Sequence, residues 1–257
     1  MSGSSVSRSA RSGLAAAPTS ASMAWSMPRA RVVLFDVDNT LTASGGAGMR
    51  ALEGALVDVI GHAGPMPKVA YAGRTDPHIL AELLTRLGRA RDAALEAIIM
   101  TRYLERLEDE LARAPGRVLP GVGALLAALA DRAHVAVGLL TGNVARGAEV
   151  KLRAHGLWDA FAFGAFGDDA ETRPGLLPVA LDRHRAATGR HVSAMADVFV
   201  IGDTVHDVAV ARTHGAVAVA VGTGAPHQER QALLATAPDL FHEDLGDAAA
   251  LLDALDA

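Results

Sequence analysis

From Arg31 onward, short runs of apolar and β-branched residues alternate with stretches of helical spacing, and this alternation constrains the fold more than any other feature of the chain. The runs are Val32 to Phe35, Val135 to Leu140, Phe161 to Ala165, Val198 to Ile201 and Val217 to Val221. Between them lie i, i+3, i+4 patterns such as Val122, Leu125, Leu126 and Leu129, and later Val205, Val208, Ala209 and Arg212, the last followed by Gly215 as a C-cap candidate. Near-continuous apolar strands separated by amphipathic helices predict an α/β fold, a parallel sheet covered by helices on both faces. Half of the 257 residues are hydrophobic, enough to bury one large core or two unequal ones.

One interval breaks the pattern. About 95 residues separate the first run from the second, where a βα crossover needs about a dozen or two, so the interval holds a subdomain. Within it Met49, Leu52, Leu56, Val59 and Ile60 mark one amphipathic helix. Ile79, Leu80, Leu83, Leu84 and Leu87 mark a second, and Leu95, Ile98, Ile99, Leu107 and Leu111 a third. The expected organisation is an α/β core over 29–43 and 121–257 and an all-helical insert over 44–120. Gly45, Gly46 and Gly48 at its start and Pro115, Gly116, Pro120 and Gly121 at its end read either as paired hinges or as ordinary turn chemistry.

Residues 1–28 differ from the rest, being rich in Ser, Ala and Arg without hydrophobic periodicity, and are expected to be disordered. They carry Arg8 and Arg11 but no acid, which gives some transit-peptide character; alternatively, Met23 or Met27 is the start and the segment an extension. The longest apolar stretches are of strand length, short of the roughly 20 residues that cross a bilayer. A net charge of −5 and a pI near 6.0 leave no basic footprint for nucleic acid. The absence of cysteine excludes disulfides, thiolate metal sites and cysteine nucleophiles, and suits a reducing cytoplasm.

In open α/β sheets ligands bind at the carboxyl ends of the strands. After the first run come Asp36, Asp38 and Thr40; after the second, Thr141, Gly142 and Asn143; after the fourth, Asp203, Thr204, His206 and Asp207. Acids ending an apolar strand are half desolvated unless a cation or hydrogen bonds offset their charge, and the +2 spacing of Asp36 and Asp38 points both to one side of an extended chain. As an isolated pair they would also serve as loop or capping residues. Asp36, Asp203 and Asp207 together would gather three negative charges, and oxygen ligands without sulfur indicate a hard cation, Mg²⁺ above all. Asp207 also fits a capping box with Thr204, and Asn143 fits a helix N-cap. The latter is compatible with phosphate binding, because a helix N-terminus offers free N–H groups to an anion.

The ordered set, an apolar strand ending in DxDxT, a strand ending in TGN and a strand ending in GDTxxD, resembles the haloacid dehalogenase superfamily, and the helical insert after the first motif resembles that family's C1 cap. The resemblance implies a Rossmann-like core and a phosphoglycolate-phosphatase-like hydrolase. It implies that Asp36 is a nucleophile forming an aspartyl-phosphate and that Asp38 is the general acid–base. Thr141, with Gly142 and Asn143, would hold the phosphoryl oxygens. Mg²⁺ would lie among Asp36, the Asp38 carbonyl and Asp203, with Asp207 as a ligand or a partner of one. Relatives often carry Lys-Pro ahead of the fourth strand; here Arg173-Pro174 stands at the matching place, and Lys151 is the competing cation.

In the insert, Asp76 and Pro77 read as an N-cap and N1 pair. Arg74, within Gly73-Arg74-Thr75-Asp76, resembles a cap arginine that reaches substrate, or else faces solvent. His206 either contacts substrate or lies at the surface. The second acid, Asp38, favours phosphate-ester cleavage over dehalogenation or phosphonate cleavage. The expectation is a cytoplasmic, Mg²⁺-dependent phosphatase of a small phosphorylated metabolite such as phosphoglycolate. The alternatives are a phosphomutase of the β-phosphoglucomutase type and a non-catalytic phosphate-binding module.

Overall fold

The computed structural model describes residues 1–3, 29–224 and 227–257, so the expected disorder of residues 1–28 falls almost wholly outside the described residues. Strand β1 (Arg31–Phe35) is buried along its whole length. It pairs on one side with β4 (Val135–Leu140) and on the other with β6 (Val198–Gly202). With β5 (Phe163–Ala165), β7 (Val217–Val221) and β8 (Leu240–His242) they form a six-stranded parallel sheet in the order β5-β4-β1-β6-β7-β8.

Alternation along each strand feeds two apolar layers. Val33 and Phe35 of β1 face a layer with α4 (Val122–Ala130), α5 (Ala145–Arg153) and α9 (Ala249–Asp256). Val32 and Leu34 face a second layer with α6 (Leu176–Thr188), α7 (Val205–His214) and Leu233 of α8 (His227–Ala235). The start of β1 is fastened by a buried ion pair from Arg31 to Asp197, which immediately precedes β6. Because β4 and β6 lie on opposite sides of β1, the chain reverses its direction of sheet growth there, and the crevice of an α/β sheet opens at the carboxyl end of such a point.

The interval between β1 and β4 contains α1 (Ala47–Ile60), α2 (Asp76–Arg86) and α3 (Ala93–Arg113), which bury a separate apolar cluster of their own. Its ends are tied by two very short strands, β2 (Thr42–Ala43) and β3 (Arg117–Val118), paired antiparallel. Those strands, β8 and α9 are too short for their sequences to show a clear period.

Two residues of the expected helical stripes face outward. Met49 is 42% exposed, because the buried stripe of α1 runs through Ala47, Ala51, Leu52, Ala55 and Leu56, and Ile98 is 56% exposed, because that of α3 runs through Ile99, Tyr103, Leu107 and Leu111. Counting only large apolar side chains displaced the face by part of a turn. Asp76 is likewise the first residue of α2 rather than its N-cap; Thr75 holds the cap position and Pro77 follows Asp76.

Gly116 and Gly121 are required by backbone geometry. Both have left-handed φ, +80° and +78°. A Cβ on Gly116 would lie 2.2 Å from the Ala43 carbonyl oxygen, and one on Gly121 2.0 Å from the Leu245 carbonyl. Gly121→Ala is expected to lower unfolding free energy by about 3 kcal/mol, as strain and a backbone collision combine. Urea unfolding checks this, and a loss below about 0.5 kcal/mol, the scale of an ordinary surface change, would contradict it.

Candidate active site

Beyond β1 the Asp36 N–H still donates to the Ile201 carbonyl of β6, at 2.9 Å, so the carboxylate starts from the sheet edge and is 6% exposed. The chain then turns tightly: the N–H groups of Leu41 and Thr42 both donate to the Val37 carbonyl, at 3.0 and 3.1 Å, with Asn39 at a left-handed φ of 55°. This turn returns Asp38 to the same cleft as Asp36. The two acids nevertheless meet different partners.

Asp36 lies 3.3 Å from the Arg173 guanidinium. Burial pushes its carboxyl up to about 6; Arg173 opposes the rise, Asp207 and Asp38 add to it, and the Thr141 hydroxyl lowers it. Asp38 accepts from Lys151 Nζ at 2.6 Å and from Asn143 Nδ2 at 2.8 Å. Burial would raise Asp38, but Lys151 and Asn143 overcome it and hold the carboxyl below its usual range. The two cations considered for a single task therefore attend different acids.

Asn143 is not the N-cap of α5, a position held by Val144. Its amide instead bridges the site: it donates to Asp38 and to Thr141 Oγ1, at 2.8 Å each, and accepts from Lys151 at 2.5 Å. The N–H groups opening α5 are already taken, Val144 by Asp76 at 3.0 Å and Ala145 by Asp168 at 3.1 Å. The Gly142 N–H, by contrast, donates to no acceptor among the described residues. It lines the cleft as the loop donor available to an anion.

Asp203 immediately follows β6 and is 6% exposed. Its partner among the described side chains is the Thr40 hydroxyl at 3.5 Å, and no cation pairs with it. Burial, with Asp36 and Asp207 nearby, pushes it up to about 9. Asp207 completes the capping box of α7, one oxygen accepting from the Thr204 N–H and hydroxyl at 3.0 and 2.7 Å. Its other oxygen pairs with Arg173. Ligand atoms of Asp36, Asp203 and Asp207 all lie within 4.8 Å of one another. An all-oxygen acidic cluster with one member left without a cation fits a hard divalent ion.

These groups line a cleft of about 820 Å³. From the insert it is lined by Leu52, Tyr71, Arg74 and Ile79, among others. Arg74 is held there by an ion pair to Glu82, which also binds Arg86. His206 packs over the backbone of Gly73, where an added Cβ would lie 2.2 Å from its ring. Two further groups of the site, Asp76 and Tyr103, went unremarked as such in the sequence. Burial pushes Asp76 up to about 6, and Tyr103 is 1% exposed with its hydroxyl 3.4 Å from the Asp76 carboxylate. The available signal was a phenol at the i+4 place in the Ile99, Tyr103, Leu107 stripe, since a buried hydroxyl needs a partner.

A family model described as haloacid dehalogenase-like hydrolase matches residues 33–212. A phosphoglycolate phosphatase of Synechococcus elongatus is 30% identical over 224 residues, covering 84% of this chain and 94% of that protein. Among solved structures, a hydrolase from Pseudomonas syringae superposes with a TM-score of 0.66 at 22% identity, covering 88% of this chain and all of that one. The β-phosphoglucomutase of Clostridium difficile gives 0.68 at 12% identity over 88% of this chain and 97% of its own. At those identities the two structures speak to the fold.

Proposed function

The chain belongs to the haloacid dehalogenase-like hydrolase family, and from that membership we propose that this phosphatase cleaves a small phosphomonoester of the phosphoglycolate type through an aspartyl-phosphate, with Mg²⁺ as cofactor and in the cytoplasm. The observation that carries the reading is the division of the two strand-end acids between two cations. Asp36, beside Arg173, would attack a phosphate, and Asp38, between Lys151 and Asn143, would transfer the proton.

In the proposed reaction an Asp36 oxygen attacks phosphorus, and the bond from phosphorus to the substrate oxygen breaks as Asp38 relays to that oxygen a proton from the Lys151 ammonium beside it. Water then attacks the phosphoryl group, Asp38 takes its proton and returns it to Lys151, and the Asp36–phosphorus bond breaks to release inorganic phosphate. Arg173, Thr141 and the Gly142 N–H hold the phosphoryl oxygens. An ion held by Asp36, Asp203 and the Asp38 carbonyl, with Asp207 beside them, would neutralise charge on the transferring group. The cap residues of the cleft, Arg74 among them, would decide which alcohol or acid accompanies the phosphate.

The test is a magnesium-supplemented screen of phosphorylated metabolites, reading phosphate release, with Asp36→Asn beside the parent. Equal release by the two proteins would overturn the covalent route. Transfer to a second hydroxyl of a sugar phosphate in place of release would select the mutase reading.

Protons should compete with the ion. The unfolded chain ionises its aspartates near pH 4, whereas the folded, metal-free site keeps protons on Asp36 to about 6 and on Asp203 to about 9. The metal-free fold therefore loses stability as pH rises through those values, and ion binding restores it. Apparent Mg²⁺ affinity is expected to strengthen at least about tenfold from pH 6 to pH 8, with proton release, in titration calorimetry. An affinity independent of pH would contradict this.

A further inference from the structure

We infer that Asp76, carried by the helical insert, is a positioning residue that clamps the Thr141–Val144 loop and thereby the acid–base pair of Lys151 and Asp38; this rests on the phosphatase reading above. The clamp has two ends. The Asp76 N–H donates to the Gly142 carbonyl at 2.8 Å, and its carboxylate accepts the Val144 N–H at 3.0 Å. One residue of the insert thus grips both sides of Asn143, whose side chain joins Thr141, Asp38 and Lys151.

The fit is close enough to be specific. A Cβ on Gly142 would lie 2.1 Å from the Arg74 carbonyl oxygen, so the two loops touch backbone to backbone. In the reverse direction Val144, 7% exposed, packs into the apolar cluster of the insert. Val144 is the N-cap of α5 and has no side-chain acceptor of its own, so a carboxylate from elsewhere takes its place, where the helix dipole favours a negative charge. Tyr103 holds the same carboxylate oxygen from α3.

The buried Lys151 ammonium also feels this carboxylate. Burial alone would lower Lys151, and Asp38 together with Asp76 keeps it charged. With alanine at 76 the backbone bond to the Gly142 carbonyl remains, but the Val144 N–H and the Tyr103 hydroxyl lose their carboxylate acceptor and the far side of the loop is freed. A displacement of about 1 Å at such a loop can cost about a hundredfold in rate. Substrate binding through Arg173 and the insert would change much less, so the effect belongs in kcat and not in KM.

The test uses the full chain with Mg²⁺ and the best phosphomonoester from the screen, together with hydrogen exchange read at the Val144 amide. Asp76→Ala is expected to lower kcat by about fiftyfold with KM changed less than about threefold, and to speed Val144 exchange about tenfold or more. Asp76→Asn keeps an oxygen for the Val144 N–H and is expected to stay within about fivefold of the parent in kcat, with that amide protected. A kcat for Asp76→Ala within threefold of the parent would overturn the inference. Unchanged Val144 exchange in that variant, or an Asp76→Asn as impaired as the alanine, would overturn it as well. Should Asp76→Ala fail to fold, Asp76→Asn decides: a protected Val144 amide with near-parent kcat supports the clamp, and loss of either overturns it. A parent that releases no phosphate would overturn the phosphatase reading alone, because the exchange arm still reads the clamp.

Discussion

Asp36→Asn is expected to reduce kcat for phosphomonoester hydrolysis by at least about 10³-fold, because an amide has no anionic oxygen with which to attack phosphorus. The substitution is nearly isosteric, so packing at the end of β1 should survive. Stability should not suffer either. A carboxyl whose folded value is raised to about 6 destabilises the native state once it is ionised, and the neutral amide removes that cost above pH 6. The metal-free variant should therefore unfold at the parent's midpoint or above it at neutral pH. Acid quenching of the parent during turnover should trap phosphate on the protein, and the variant should trap none. Activity within tenfold of the parent, or a loss explained by unfolding, would remove Asp36 from the centre of the reaction.

Arg173→Ala is expected to lower kcat by about 10²- to 10³-fold, the scale on which removal of one preorganised charge-stabilising group acts. The guanidinium is 8% exposed and is the cation that meets both Asp36 and Asp207. Its removal leaves the Asp36, Asp203 and Asp207 cluster without a paired cation among the described residues, so the Asp36 carboxyl rises further and the proposed nucleophile is protonated over more of the neutral range. The acidic limb of the pH–rate profile should consequently move up by about one unit or more. Arg173→Lys should recover part of the rate, since an ammonium supplies the charge but not the planar fork that spans two carboxylates. A kcat within about fivefold of the parent and an unmoved acidic limb would show that Lys151 or the ion alone neutralises the phosphate.

The sheet was readable because the apolar runs from Val32 to Val221 are long and bounded by turns. The helices of the insert were readable from their period, although their faces were not. Met49 shows the limit: small residues such as Ala47, Ala51 and Ala55 carry the buried stripe of α1 without standing out from an alanine-rich chain. The strand-end polar clusters marked Asp36, Asp38, Thr141 and Asp203, which the fold brings to one cleft. Local pattern failed where a side chain reaches across the fold. Asn143 fitted an N-cap and proved to be a bridge between Asp38 and Lys151, while Asp76 fitted a cap of its own helix and proved to serve the start of α5. Asp207, by contrast, does both things proposed for it, closing a capping box and joining the acid cluster.

By itself the sequence determined the fold class and the chemical types gathered at one sheet edge, because hydrophobic period and strand-end position are local properties written in neighbouring residues. The tertiary structure alone decided which cation meets which acid, which N–H groups remain for an anion, and that the insert brings Asp76 against the start of α5. Those outcomes depend on distances between residues as far apart in the chain as Asp38 and Lys151 or Asp76 and Val144. Electrostatic and hydrogen-bond energies fall off over a few ångströms of space, and no spacing along the chain encodes them.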